Sequence, residues 1–192
     1  MKTQKQSDAE VDQSNAPVSK LTTRSVGASL GQALAVVGLL LTAPFAQAQT
    51  KLTSADNDFM LAAAQGGMTE VKLGALAAQK GTRADVKTFG QLMVTDHTAI
   101  NGDLTALAAQ KGVMLLATLD PKHQGMVDKM TTLTITEFDD AYIAAMVKDH
   151  EMDAKEFKAE SATTTDAEIK AFVDKSIPVV AEHLKRVTAL KK

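Results

Sequence analysis

From residue 55 onward, apolar residues return every three to four positions, the period of a helix with one buried face. Four long segments carry the pattern, each with start and stop signals. The first runs from about Ala55 to Lys80, with Ser54 as N-cap, Asp56 and Asp58 in its first turn, and Gly81 as its stop. The second runs from about Arg83 to Lys111, between Thr82 as N-cap and Gly112. The third runs from about Glu137 to Glu160 behind Thr136. The fourth runs from about Asp166 to Leu190, where Thr165 and Glu168 have capping-box spacing.

The connections are uneven. Tight turns join the first helix to the second and the third to the fourth. Residues 113–136 lie between the second and third, and Asp120-Pro121 there predicts a short helix over Pro121–Met130. A connection of that length can run the whole length of a bundle. The expected fold is therefore all-α: a four-helix bundle made of two helical hairpins and one long crossover containing a short helix, as in ferritin-like bundles. A plain up-down-up-down bundle is the alternative.

Placing successive residues 100° apart shows what each helix turns inward. In the second helix the apolar arc is Val86, Phe89, Met93, Ile100, Leu104 and Leu107, and Asp96 and His97 flank its centre. In the third, Tyr142, Met146 and Phe157 form the arc, Asp149 and His150 flank its centre, and Asp153 lies on it. In the fourth, His183 sits near the middle of an arc of Phe172, Val173, Val179, Val180 and Val187, while Glu182 points sideways. The first helix has no His, but Glu70 shares an arc with Phe59, Ala63, Gly66, Gly74 and Ala77; Gln65, Thr69 and Lys72 take the other face. Pro178 is expected to kink the fourth helix about one turn before His183.

These inward polar residues belong to a repeat. Met93-Val94-Thr95-Asp96-His97 returns as Met146-Val147-Lys148-Asp149-His150, and more loosely as Val179-Val180-Ala181-Glu182-His183. Three of the four histidines lie in these copies. A second repeat, Leu-x-Ala-Leu-Ala-Ala-Gln-Lys-Gly at 73–81 and 104–112, is a good helix former running into a Gly stop and carries no chemistry.

Composition removes several functions. The formal net charge is −2, so no broad basic surface for nucleic acid is expected. The chain has no cysteine, which excludes disulfides, thiolate metal sites and thiol catalysis. Residues 1–48 read as a signal peptide: Lys2, Lys5, Lys20 and Arg24 precede the short apolar run Ala33–Leu41, and Ala46-Gln47-Ala48 fits a cleavage site. An uncleaved anchor is the alternative, but the run is short beside the ~20 residues of a membrane span. Residues 49–192 are then the helical domain, exported to the periplasm or peripheral to the outer membrane, with no transmembrane segment. No motif identifies a protein partner, and a homo-oligomer is compatible with the pattern. Phosphate loops, zinc-protease motifs and serine-hydrolase elbows are absent, so an enzyme is not the expectation.

Unpaired carboxylates are costly to bury. An inward cluster of Glu70, Asp96, His97, Asp149, His150 and His183 must share protons, pair acid with imidazole, or bind a cation. The candidate ions are iron, by analogy with the carboxylate–His sites of helical bundles, and copper, since Met93 and Met146 stand one turn before His97 and His150. Adjacent acid and His depart from the Glu-x-x-His spacing of di-iron sites, and Val179 replaces the Met in the third copy. The competing reading is a structural layer in which acid orients imidazole, without catalysis.

Gly66-Gly67-Met68-Thr69-Glu70-Val71, Met93-Val94-x-Asp96-His97, Phe138-Asp139, Met146-Val147-x-Asp149-His150 and Pro178-x4-His183 together resemble the bacterial domain of unknown function 4142 family. The resemblance covers about Asp56 to Leu190. It implies a ferritin-like exported bundle, often labelled a predicted outer-membrane protein, with no established activity.

Overall fold

The computed structural model describes residues 52–191; the signal-peptide reading of residues 1–48 lies outside them. The described residues form five helices and no strand: α1 (Ser54–Lys80), α2 (Ala84–Lys111), α3 (Pro121–Thr132), α4 (Ile135–Thr163) and α5 (Ala167–Ala189). The four long helices make the expected bundle. Helix α1 packs on α2 and α4, and α5 packs on α4 and α2, which leaves α1 diagonal to α5.

Contacts at the two ends fix the direction of each helix. At one end the Asp139 carboxylate, at the start of α4, accepts from the Thr82 and Arg83 amides at 3.1 and 2.9 Å, and Arg83 donates to the Leu190 carbonyl after α5. At the other end Lys111 closes α2 onto Asp166 and Glu168 at the start of α5, at 2.5 Å each. The order is thus up, down, down, up, and the crossover runs the full length of the bundle. Helix α3 travels along α1, where Lys80 reaches the Thr131 carbonyl.

Three predicted N-caps shift by a residue or two. Thr53 rather than Ser54 caps α1, in a capping box with Asp56. Thr134 rather than Thr136 caps α4, because Glu137 returns the bond at capping-box spacing. Asp166 caps α5 itself. Helix α2 departs further. Arg83 holds the N-cap position without a side-chain capping bond, and Asp139 of α4 accepts from the Thr82 and Arg83 amides just before the helix. Gln65 and Thr69, expected on the outer face of α1, are buried, because the crossover covers them; Gln65 binds the Thr118 carbonyl and the Asp120 amide. Helix α5 continues through Pro178.

Helices α1 and α2 approach closely at a glycine pair. A Cβ on Gly90 would stand 2.6 Å from the Gly74 carbonyl oxygen, and one on Gly74 2.8 Å from the Gly90 carbonyl oxygen. The apolar core falls into two clusters. One contains Leu73, Phe89, Met93, Phe138, Tyr142 and Met146; the other contains Met60, Leu104, Phe157, Ile169 and Phe172. The numbers along each helix leave a gap between the clusters. Glu70, His97, His150 and His183 fill it.

Candidate metal centre

Each of these histidines continues an apolar stripe. His97 follows Phe89 and Met93 at four-residue steps, His150 follows Phe138, Tyr142 and Met146, and His183 stands between Val180 and Val187. The spacing that buries the hydrophobes therefore buries the imidazoles as well. His97, His150 and His183 are at most 3% exposed, and Glu70 is 2% exposed. Met93 and Met146 are wholly buried within the first apolar cluster.

The three rings form a nearly equilateral triangle, with centroids 5.1, 5.4 and 5.7 Å apart. One nitrogen from each ring lies within 4.8 Å of the others. The remaining nitrogens face oxygen acceptors. His97 Nδ1 is 2.8 Å from Glu70 Oε2, His183 Nε2 is 2.8 Å from Asp96 Oδ2, and His150 Nδ1 is 2.9 Å from the Met146 carbonyl. A carbonyl only accepts, so His150 carries its hydrogen on Nδ1, and its Nε2 has a bare lone pair. That Nε2 has no hydrogen-bond partner; 3.4 Å away is Glu70 Oε1, also without one. His97 Nε2 and His183 Nδ1 face each other at 3.2 Å.

Two placements of the protons show what the centre lacks. With Glu70 ionised, all three rings donate outward. Their inner lone pairs then converge, two of them directly opposed at 3.2 Å. With Glu70 protonated, a chain runs from Glu70 to His97, to His183, to Asp96. His150 Nε2 and Glu70 Oε1 are then two acceptors face to face. Each of these leaves two lone pairs opposed; a cation would relieve them, and so would a Glu70 proton on Oε1 facing His150 together with a doubly protonated His183 between His97 and Asp96.

Burial drives the imidazoles toward neutrality. His97 falls to about 4, with the charges of Asp149 and Asp96 acting the other way. His150 falls to about 3 through burial and through His97. His183 also lies below its usual value through burial, against its bond to Asp96. Neutral imidazole is the form that ligates metal. Burial and the charge of Asp149 push Glu70 well above the carboxylate range. Burial likewise raises Asp149, and takes Asp153 to about 9 with help from Glu70 and Asp149.

Of the residues singled out in the sequence, the three histidines come together as one set. Glu70 and Asp96 stand behind two of them. Asp149 does not join the rings; it groups with Glu70 and with Asp153, a residue absent from the predicted set. Its signal was present, one turn beyond Asp149 on the inward arc. The acid of the third repeat, Glu182, faces outward and pairs with Arg186 at 2.8 Å. His123 Nδ1 is 2.8 Å from Asp120, the N-cap of α3, away from the triangle.

No curated protein matches the sequence. Two solved structures share its fold. A DUF305 fragment from Deinococcus radiodurans superposes with a TM-score of 0.64 at 11% identity, covering 73% of this chain and 97% of that one. CopM, solved in the Cu(I)-bound form, superposes with a TM-score of 0.60 at 17% identity, covering 70% and 94%. At these identities the likeness is one of fold, and both neighbours are helical bundles. The model of the domain of unknown function DUF4142 matches residues 41–190, and the chain belongs to that family.

Proposed function

We propose that this protein is a metal-binding helical bundle that holds one transition-metal ion on His97, His150 and His183. The observation that carries the reading is the hydrogen-bond pattern of the three rings. Each has an oxygen acceptor at its outer nitrogen, which orients it and leaves its inner nitrogen free. Protein-bound metals use this arrangement, with carboxylates or carbonyls behind the ligating histidines. Metal–nitrogen bonds of ~2.0 Å at tetrahedral angles set ligand nitrogens ~3.3 Å apart, and His97 Nε2 and His183 Nδ1 are 3.2 Å apart. Imidazole donors suit copper and zinc, whereas magnesium and calcium favour oxygen. Copper is the first ion to test, since a neighbour of the same fold was solved with Cu(I). The role is binding or storage rather than catalysis. Export through residues 1–48 would put it in the cell envelope, which fractionation of cells expressing the full chain tests.

A second reading keeps the cluster as a structural layer. The protonated-Glu70 chain, which without an ion satisfies every contact of the rings except that between His150 Nε2 and Glu70 Oε1, favours it. Metal analysis after dialysis against Cu(I), Zn2+ or Fe2+ separates the two. The metal reading expects one equivalent in the wild type and none in a folded His97→Ala/His150→Ala variant. A wild type with no stoichiometric ion leaves the structural layer.

A further inference from the structure

Behind the imidazoles lies a second group of donors. Glu70 of α1 and Asp149 and Asp153 of α4 each bring a carboxylate oxygen within 4.8 Å of the other two. Asp149 and Asp153 are four residues apart, so they share one face of α4, and α1 packs against that helix. Hard divalent ions bond oxygen at ~2.0–2.6 Å, so two ligands of one ion are at most ~5 Å apart. The group meets that limit.

Acids in a cluster prove nothing alone, since water and protons can satisfy them. Three further observations point to a ligand. Glu70 is 2% exposed, and apart from a proton it can share with the Asp153 carboxyl its Oε1 has no hydrogen-bond partner. Among the described residues no lysine or arginine bridges any of the three; Lys122 and His123 of α3 act on Asp149 through space. Beside the group is a cavity of about 20 Å³ lined by Glu70, Asp153 and Asn101 among others. That volume takes one water-sized occupant. Asn101 adds a buried oxygen, Oδ1, that also lacks a partner. Any side chain at Gly67, another residue of the lining, would overlap that oxygen.

We infer that Glu70, Asp149 and Asp153 form a second, oxygen-only cation site for a hard divalent ion, distinct from the three imidazoles but adjoining them through Glu70. Carboxylate donors suit manganese, magnesium or calcium and offer nothing to the soft Cu(I) ion. Glu70 is the shared element: Oε2 accepts from His97, while Oε1 is left to ligate once the proton shared with Asp153 is displaced. The site does not require the imidazole set to be filled.

Mn2+ titration of the intact protein, followed by electron paramagnetic resonance, tests the inference. The wild type is expected to bind one Mn2+, and Asp149→Asn/Asp153→Asn to bind it at least tenfold more weakly while keeping copper or zinc. Asparagine preserves shape and asks for no buried charge, so the variant should fold; Asp149→Asn alone is the milder version. His150→Ala should leave Mn2+ affinity within threefold. A wild type that binds neither Mn2+, Mg2+ nor Ca2+, or an asparagine variant with unchanged Mn2+ affinity, overturns the site. Retained Mn2+ binding without copper or zinc sinks the imidazole reading and leaves this one standing.

Discussion

His97 Nε2 and His183 Nδ1 face each other across 3.2 Å, while the opposite nitrogen of each ring is held by a carboxylate, Glu70 for one and Asp96 for the other. Two rings held from behind and aimed at each other leave little freedom for either. Their geometry is set by acids on two different helices, one wholly buried and one 31% exposed at its side chain.

Asp96 is the more accessible handle on this arrangement. Asp96→Ala removes the acceptor of His183 without touching an inner nitrogen. Loss of such an outer partner typically weakens metal binding ~10–100-fold. Competition against a chromophoric chelator should show at least a tenfold fall in copper or zinc affinity with thermal stability little changed. Unaltered affinity would count against the role given to Asp96.

Asp139 governs a junction far from the histidines. Burial works against its charge, but the Thr82 hydroxyl and the Thr82 and Arg83 amides hold it below the usual carboxylate range. A depressed folded value means stability that is present above ~pH 3.9 and lost as pH falls through the folded value. Asp139→Asn should cost about 1.5–3 kcal/mol at pH 7, the range for charge-assisted bonds. Urea melts from pH 7 to pH 2 should show the gap between variant and wild type closing on the acid side.

Glu160 works in the opposite sense. Burial and the neighbouring Asp56 raise it to about 7. The fold favours its protonated form, so stability falls as pH rises from ~4.5, the unfolded value, through 7. Glu160→Gln should flatten that decline between pH 5 and 8. A decline of unchanged slope in the variant would rule out Glu160 as its source.

The glycine pair gives a steric test. Gly90→Ala adds a Cβ 2.6 Å from a backbone oxygen that cannot easily retreat. Overpacking of this kind costs ~1–3 kcal/mol, more than the gain of up to ~1 from alanine's helix propensity. Gly102, in the same helix, has nothing within 4 Å. Gly102→Ala should stabilise where Gly90→Ala destabilises, read as opposite shifts in the urea midpoint.

Periodicity was enough to predict the four long helices, because stripes such as Phe89-Met93-His97 leave little choice of buried face; Asp120-Pro121 announced the short one. The length of residues 113–136 likewise announced a crossover. Caps were less legible, since the amides before α2 are satisfied by Asp139, 56 residues away from Arg83 in the chain. Gln65 and Thr69 were misread because a helical wheel does not show a crossover lying on the outer face. In the site, the arcs turned the acids and imidazoles inward. Which of them meet depends on register between helices. Asp149 and His150 are adjacent in sequence, yet one sides with carboxylates and the other with imidazoles.

The hairpin topology has a consequence for how the centre comes into being. The α1–α2 hairpin brings Glu70 and His97; the α4–α5 hairpin brings His150, His183, Asp149 and Asp153. Neither half contains the three-imidazole set or the three-carboxylate set. Each set exists only when the two halves are docked. An ion held there would act as a clasp across the seam, and separation of the hairpins would open both sites in a single event.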